Sequence, residues 1–148
     1  QKGVTLAKPD GTLDRRALGS VIFCDRKLLA RQESIVYPEV NRLMDEFIAA
    51  HDGKNIVINA TVLYKIPVLM NRCSAVFYVY APYLLRFFRA YSRDGMPFRQ
   101  IRARFRSQRR LYRFYRETGI PVVKICNAGS LKLLEKRTAA ALAENHLI

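Results

Sequence analysis

The order of hydrophobic and polar positions predicts helices that alternate with short apolar strands. Asn55–Ala60, Ala75–Tyr80 and Val122–Cys126 are apolar runs of strand length, as expected for strands covered on both faces. Apolar residues at helical spacing surround these runs, and the predicted helices cover residues 14–23, 28–35, 39–51, 83–92, 97–118 and 131–142. Buried strands that alternate with helices indicate a parallel α/β sheet.

Residues that favour caps and turns set the expected boundaries. Pro9-Asp10-Gly11 predicts a turn, and Asp14 is a suitable N-cap for the first helix. Tyr37-Pro38 predicts the end of one helix and the start of the next, because proline suits a first helical turn. Gly119 is expected to end the helix that begins near Pro97.

That last helix carries a narrow apolar stripe with arginines on its other faces. The stripe consists of Ile101, Phe105, Gln108, Tyr112 and Tyr115. Its aromatic residues are expected to pack in the core.

Functional loops of parallel sheets lie at the carboxyl ends of the strands. The loops expected there are Asn59–Lys65, Ala81–Arg93 and Asn127–Ser130. The last two flank the arginine-rich helices, an arrangement that suits a phosphate site.

Charge strengthens this expectation. The chain has a formal net charge of +14, which indicates a polyanionic partner. Against one acid, Asp94, the stretch from Arg86 to Arg116 holds eleven arginines, at positions 86, 89, 93, 99, 102, 104, 106, 109, 110, 113 and 116. The planar guanidinium group matches phosphate oxygens, so a bound anion would offset the repulsion along these helices.

Composition alone places nucleic-acid binding slightly ahead of a nucleotide enzyme. Aromatic residues interleave with the arginines and could form stacking surfaces for bases. The sequence has no RNP-type strand, GXXG loop or zinc finger, so no known nucleic-acid module matches.

The remaining composition narrows the class of protein. Cys24, Cys73 and Cys126 are scattered and form no C-x-x-C pair, which favours a reducing, cytoplasmic setting over a disulfide framework. His51 and His146 have no neighbouring ligands that would complete a metal site. The longest apolar stretches are shorter than the roughly 20 residues that a bilayer requires.

Six short motifs in order resemble the dephospho-coenzyme A kinase family over nearly the whole chain. They are Asp10–Leu18 ("DGxLxRxxL"), Ile35–Val40 ("I-x-H-P-x-V"), Ile58–Lys65 ("D-x-P-L-L-x-E"), Arg89–Gly95 ("RLxxRDG"), Arg104–Gln108 ("RIxxQ") and Asn127–Leu131 ("N-x-G-S-L"). The resemblance implies a P-loop kinase fold, a three-layer parallel sheet with an arginine-rich helical lid. It also implies transfer of the ATP γ-phosphoryl group to the ribose 3′-hydroxyl of dephospho-coenzyme A, with Mg²⁺ accompanying ATP.

The resemblance assigns an expected role to each matching residue. Arg15 would orient substrate phosphate, and Arg89 and Arg93 would be lid arginines that clamp the ATP phosphates. Arg104, Asn127 and Gly129 would belong to the ATP site. The expected acceptor side comprises Tyr37, Pro38, Asn59, Thr61 and Leu63.

Several positions depart from the family pattern. Tyr37 replaces the usual His, Asn59 replaces Asp, Thr61 replaces Pro and Lys65 replaces Glu. The loss of acidic charge leaves a third interpretation open, a scaffold or pseudo-enzyme that keeps the coenzyme A site without catalysis.

The sequence contains no G-x-x-x-x-G-K-[ST] motif, which supplies the phosphate cradle of P-loop kinases. The expectation is therefore a fragment, or a chain that needs a partner to complete its sheet, and one inactive alone. Its expected regions are a helical substrate region at 1–55, core strands at 56–82, lid helices at 83–118, and the last strand and helix at 119–148.

Overall fold

The computed structural model describes residues 3, 5–22, 25–95 and 97–145, without the side chains of Arg16 and Ser20. The chain divides into two compact units, Gln1–Asp52 and Gly53–Ile148.

The first unit contains two helices, α1 (Arg15–Ile22) and α2 (Arg26–Ala49), which pack against each other. The predicted cap is confirmed, because the Asp14 carboxylate accepts a hydrogen bond from the Ala17 N–H at 2.9 Å. The predicted turn is also confirmed: Gly11 has a φ of 78°, and the Lys8 N–H donates to the Thr12 carbonyl.

The prediction of two separate helices, at 28–35 and 39–51, is wrong, because α2 is one helix that covers both ranges up to Ala49. It runs without a break through Pro38, although proline cannot donate a hydrogen bond to the preceding turn. The Asp25 carboxylate caps its start by accepting from the N–H groups of Lys27 and Leu28. On the turns after Pro38, Arg42 bonds to both Glu39 and Glu46, which holds the two turns together.

The second unit is built around two parallel strands, β1 (Val76–Tyr80) and β2 (Val122–Cys126). Both strands were predicted, but the expectation that they are covered on both faces is wrong for β1, in which Val79 and Tyr80 are exposed. Val76 pairs with Val122 and Tyr80 with Cys126, so the strands end at the same level.

The strand predicted at Asn55–Ala60 is not present, since residues 55–60 have no regular secondary structure. A strand needs a neighbouring backbone for its ladder, and within the described residues the sheet consists of β1 and β2, without residues 55–60. Val57 is 91% exposed and Ile56 and Ile58 are half-buried, so none of these three apolar residues is fully buried within the described chain.

The helices of this unit are α3 (Pro67–Met70), α4 (Tyr83–Asp94), α5 (Phe98–Ser107), α6 (Leu111–Arg116) and α7 (Leu131–Glu144), with a short 3₁₀ helix at Leu63–Lys65. Helix α4 ends at Gly95, whose φ of 57° is left-handed. The prediction of a single helix over 97–118 is wrong, because a turn at residues 108–110 separates α5 from α6.

The predicted apolar stripe nevertheless lies inward across that turn. Ile101 is fully buried and Tyr115 is nearly so. The core of the unit consists of Leu63, Ile66, Leu69, Met70, Ile101, Tyr115, Ile125 and Ala141.

Candidate functional site

The candidate site lies at the carboxyl ends of β1 and β2, where the chain turns into α4 and α7. The Asn127 N–H donates to the Tyr80 carbonyl at 2.6 Å, which continues the ladder one residue beyond β2. The loop after β2 is thus held at the strand ends, as the parallel topology requires.

Arg89 on α4 reaches this loop. Its Nη1 donates to the backbone carbonyl of Asn127 at 2.9 Å and lies 3.2 Å from the side-chain Oδ1 of the same residue. The two residues are 38 positions apart in the sequence. The structure therefore brings together the arginine expected to clamp phosphate and the residue expected beside adenine.

Arg93 and Arg104 share one carboxylate, that of Asp94. Arg93 Nε lies 2.7 Å from Asp94 Oδ1, and Arg104 Nη1 lies 3.3 Å from Asp94 Oδ2. The hydrogen bonds from Arg93 hold the pKa of the Asp94 carboxyl below its usual value. The Arg93 side chain is 75% exposed, so the pair is open to solvent and to a competing anion.

Gly129 takes a backbone conformation that other residues rarely adopt. Its φ is 115°, and a Cβ placed there would meet Leu133 Cδ2 at 3.1 Å. The next residue, Ser130, caps α7 by accepting from the Leu133 N–H. The loop passes from strand to helix in four residues, which explains why glycine is needed at this position.

The residues expected on the acceptor side differ in their surroundings. Asn59 and Thr61 are exposed on the irregular segment before the 3₁₀ helix. Leu63 is buried, and its N–H donates to the Tyr115 hydroxyl at 3.0 Å. Burial of the phenol raises the pKa of Tyr115.

Three predicted residues belong to the first unit. Arg15 is exposed at the start of α1 and lines an open depression together with Lys8, Thr12, Leu13 and Asp14. Tyr37 is half-buried in the middle of α2, and Pro38 is exposed beside it.

The other arginines of the basic stretch divide into two groups. Arg86 lies 4.2 Å above the ring of Phe105, and Arg113 pairs with Glu117 at 2.6 Å. Among the described residues no ion pair is formed by Arg99, Arg102, Arg106, Arg109, Arg110 and Arg116, all of which are exposed.

Sequence reasoning missed two residues of the site. Asp94 appeared as the one acid among the arginines and within the Arg89–Gly95 motif but was given no role, yet its isolation is the signal that it would be shared between them. Arg137 on α7 donates from Nη1 to the carbonyls of Cys126 and Ala128, and no sequence pattern pointed to it.

Within the described ranges, no group of three or more His, Cys, Asp or Glu residues could hold a metal ion. No helix in the same ranges is both long and apolar enough to span a bilayer.

A sequence model of the dephospho-CoA kinase family matches residues 2–114. Similar proteins include three curated dephospho-CoA kinases. That of Treponema pallidum is 31% identical over 150 residues, which is 99% of this chain and 71% of the relative. That of Treponema denticola is 30% identical and covers 89% and 61%, and that of Thermobifida fusca is 31% identical and covers 96% and 70%.

The chain thus spans 61–71% of the length of these relatives. The family match includes the arginines of α4 and α5, whereas Asn127 and Gly129 lie only within the alignments to individual relatives. No solved structure matches the chain. These similarities give no support to the nucleic-acid alternative.

Proposed function

This chain belongs to the dephospho-CoA kinase family, and on that premise we propose that its protein transfers the γ-phosphoryl group of ATP to the ribose 3′-hydroxyl of dephospho-coenzyme A. The α/β arrangement with a parallel strand pair is consistent with a P-loop kinase sheet. In this proposal α4–α6 form the arginine lid, and further strands complete a three-layer fold.

The contact between Arg89 and Asn127 is the observation that carries the proposal. An arginine that binds phosphate and a residue that borders adenine must lie within the length of one nucleotide of each other. The hydrogen bonds from Arg89 Nη1 to the Asn127 backbone carbonyl at 2.9 Å and to its side-chain Oδ1 at 3.2 Å satisfy that requirement without any bound ligand. Such an arginine stabilises the negative charge that spreads over the phosphate oxygens during phosphoryl transfer.

Arg93 and Arg104 would join the clamp by exchanging partners. Both now share the single negative charge of Asp94, in exposed pairs that contribute little to stability. A triphosphate offers several negative charges where Asp94 offers one, so it would compete well for both guanidinium groups. Closing over the nucleotide would also exclude water, which competes as an acceptor of the phosphoryl group.

The acceptor side of the proposal rests on the family motifs. Arg15 would bind a substrate phosphate, while Tyr37, Pro38, Asn59 and Thr61 would border dephospho-coenzyme A. Leu63 would shape this region from the core, since its side chain is buried.

Two components would come from outside the described residues. The phosphate cradle requires a Gly-rich loop with a lysine, which the 148 residues do not contain, so another segment of the protein or a partner chain would supply it. Mg²⁺ would arrive with ATP and neutralise phosphate charge. The described residues include no group of three or more His, Cys, Asp or Glu side chains that could hold it.

Substitution of Arg89 in the complete protein tests the function. We expect Arg89→Ala to lower kcat/KM for ATP by roughly 10³-fold, as for other arginines that stabilise phosphoryl transfer, with KM for dephospho-coenzyme A little changed. Lys132→Ala is the control for loss of a basic side chain, because Lys132 is exposed on α7, outside the proposed lid.

Turnover is measured by ADP release in the presence of dephospho-coenzyme A. No turnover by the wild-type protein would refute the function. Normal turnover by Arg89→Ala would refute the clamp and leave the function standing.

A further inference from the structure

Arg137 braces the loop that contains Asn127. It is a half-buried residue on α7, seven positions after the helix cap Ser130. Its Nη1 donates to the Cys126 carbonyl at 2.7 Å and to the Ala128 carbonyl at 3.1 Å. One guanidinium nitrogen therefore binds the carbonyls immediately before and after that of Asn127.

These two bonds leave the backbone at Asn127 little freedom. The Asn127 N–H is already bound to the Tyr80 carbonyl, and the two flanking peptide groups are fixed by Arg137. Hydrogen bonds from a charged donor are stronger than neutral ones, and a half-buried site screens them less. The Asn127 carbonyl is thus held in one position, where Arg89 binds it.

The brace is not required to begin α7. The Ser130 side chain caps that helix, and Gly129 supplies the turn that precedes it. Arg137 therefore acts on the conformation of the loop, separately from the devices that start the helix.

We propose that Arg137 is a positioning residue for nucleotide binding: by holding the carbonyls of Cys126 and Ala128, it places Asn127 against adenine and, through Asn127, sets the position of Arg89. This inference rests on the proposed function and adds a residue that would touch neither nucleotide nor acceptor. Its effect would fall on ATP and leave the affinity for dephospho-coenzyme A unchanged.

Two substitutions at this position separate the charged donor group from the aliphatic stem. Arg137→Met keeps the length of the aliphatic stem and removes the donors. Arg137→Lys keeps a charged nitrogen, and since both bonds come from a single nitrogen, an ammonium group can replace them in part. Lys136→Met, at the exposed neighbouring position on α7, is the control for loss of charge.

The complete protein is titrated with N-methylanthraniloyl-ADP, and its steady-state kinetics are measured with ATP and dephospho-coenzyme A. We expect Arg137→Met to raise the Kd of the fluorescent nucleotide and the KM for ATP about tenfold, the effect of losing charged hydrogen bonds. Arg137→Lys should recover affinity to within about threefold of wild type, and Lys136→Met should match wild type.

The possible results show separately whether the proposed kinase function fails and whether the proposed role of Arg137 fails. Nucleotide binding by the wild-type protein without phosphoryl transfer would refute the function, while the Kd values would still decide the role of Arg137. A lower melting temperature for Arg137→Met with unchanged Kd and KM for ATP would overturn the inference, because a purely structural role predicts that result. Absence of nucleotide binding by the wild-type protein would overturn both.

Discussion

Tyr115 joins two distant parts of the second unit through its hydroxyl group. The hydroxyl accepts a hydrogen bond from the Leu63 N–H at 3.0 Å, and both residues are buried, at 5% and 8% exposure. Tyr115→Phe keeps the ring and its packing, so it creates no cavity. It leaves the Leu63 N–H without this acceptor in a site that water does not readily reach.

The expected cost follows from that geometry. A buried donor left unsatisfied costs about 1–3 kcal/mol, so we expect Tyr115→Phe to lower the free energy of unfolding by about 2 kcal/mol. For a chain of this size that corresponds to a fall in Tm of about 4–8 °C. Urea unfolding followed by circular dichroism measures the difference directly.

Tyr112→Phe is the matched control on the same helix. Tyr112 packs against Tyr78 through its ring, and Lys124 lies 4.0 Å above that ring, so neither contact uses the hydroxyl. We expect its unfolding free energy to change by less than about 0.5 kcal/mol. Equal effects of the two substitutions would refute the reasoning, since the hydrogen bond would then contribute nothing.

Three further predictions follow from other contacts. Burial raises the pKa of Tyr115 in the folded state, so its contribution to stability is complete below pH 10 and is lost as pH rises through the folded pKa. Urea unfolding across that range should show the free energy of unfolding falling more steeply with pH for wild type than for Tyr115→Phe. Gly129→Ala should destabilise the protein by about 1–3 kcal/mol and by more than Gly119→Ala, since only Gly129 adds a contact at 3.1 Å to its positive φ; equal Tm values for the two would contradict this. Asp94→Asn should tighten binding of fluorescent ATP roughly two- to fivefold at low salt by releasing Arg93 and Arg104, and unchanged or weaker binding would argue against partner exchange.

Short sequence patterns were sufficient to predict those strands, caps and turns that depend on neighbouring residues. Both paired strands, the Asp14 cap and the turn at Gly11 follow from residues within a few positions of each boundary. The break predicted at Pro38 was wrong because proline removes one donor, and the flanking turns of α2 have enough other bonds to continue. The strand predicted at 55–60 was wrong because apolar sequence alone supplies no neighbouring backbone.

The contacts of the candidate site could not be read from periodicity. Arg89 and Asn127 were each expected at a nucleotide site through their motifs, but the hydrogen bonds between them depend on the tertiary arrangement of α4 and β2. Arg137 has no motif, and its two bonds to backbone carbonyls would be available to any donor that α7 placed there. Long-range pairs of this kind become visible only when the fold is known.

The parallel pairing of β1 and β2 also bears on the order in which the chain folds. Val76 pairs with Val122, 46 positions later, and α4, α5 and α6 occupy the chain between them. Closing so long a loop costs entropy before any ladder bond forms, whereas helices gain their bonds locally within microseconds. We therefore expect the strand ends, and with them the contact between Arg89 and Asn127, to assemble after the transition state for folding. Substitutions there would mainly accelerate unfolding, so a protein that folds at a normal rate could still lose its native state sooner.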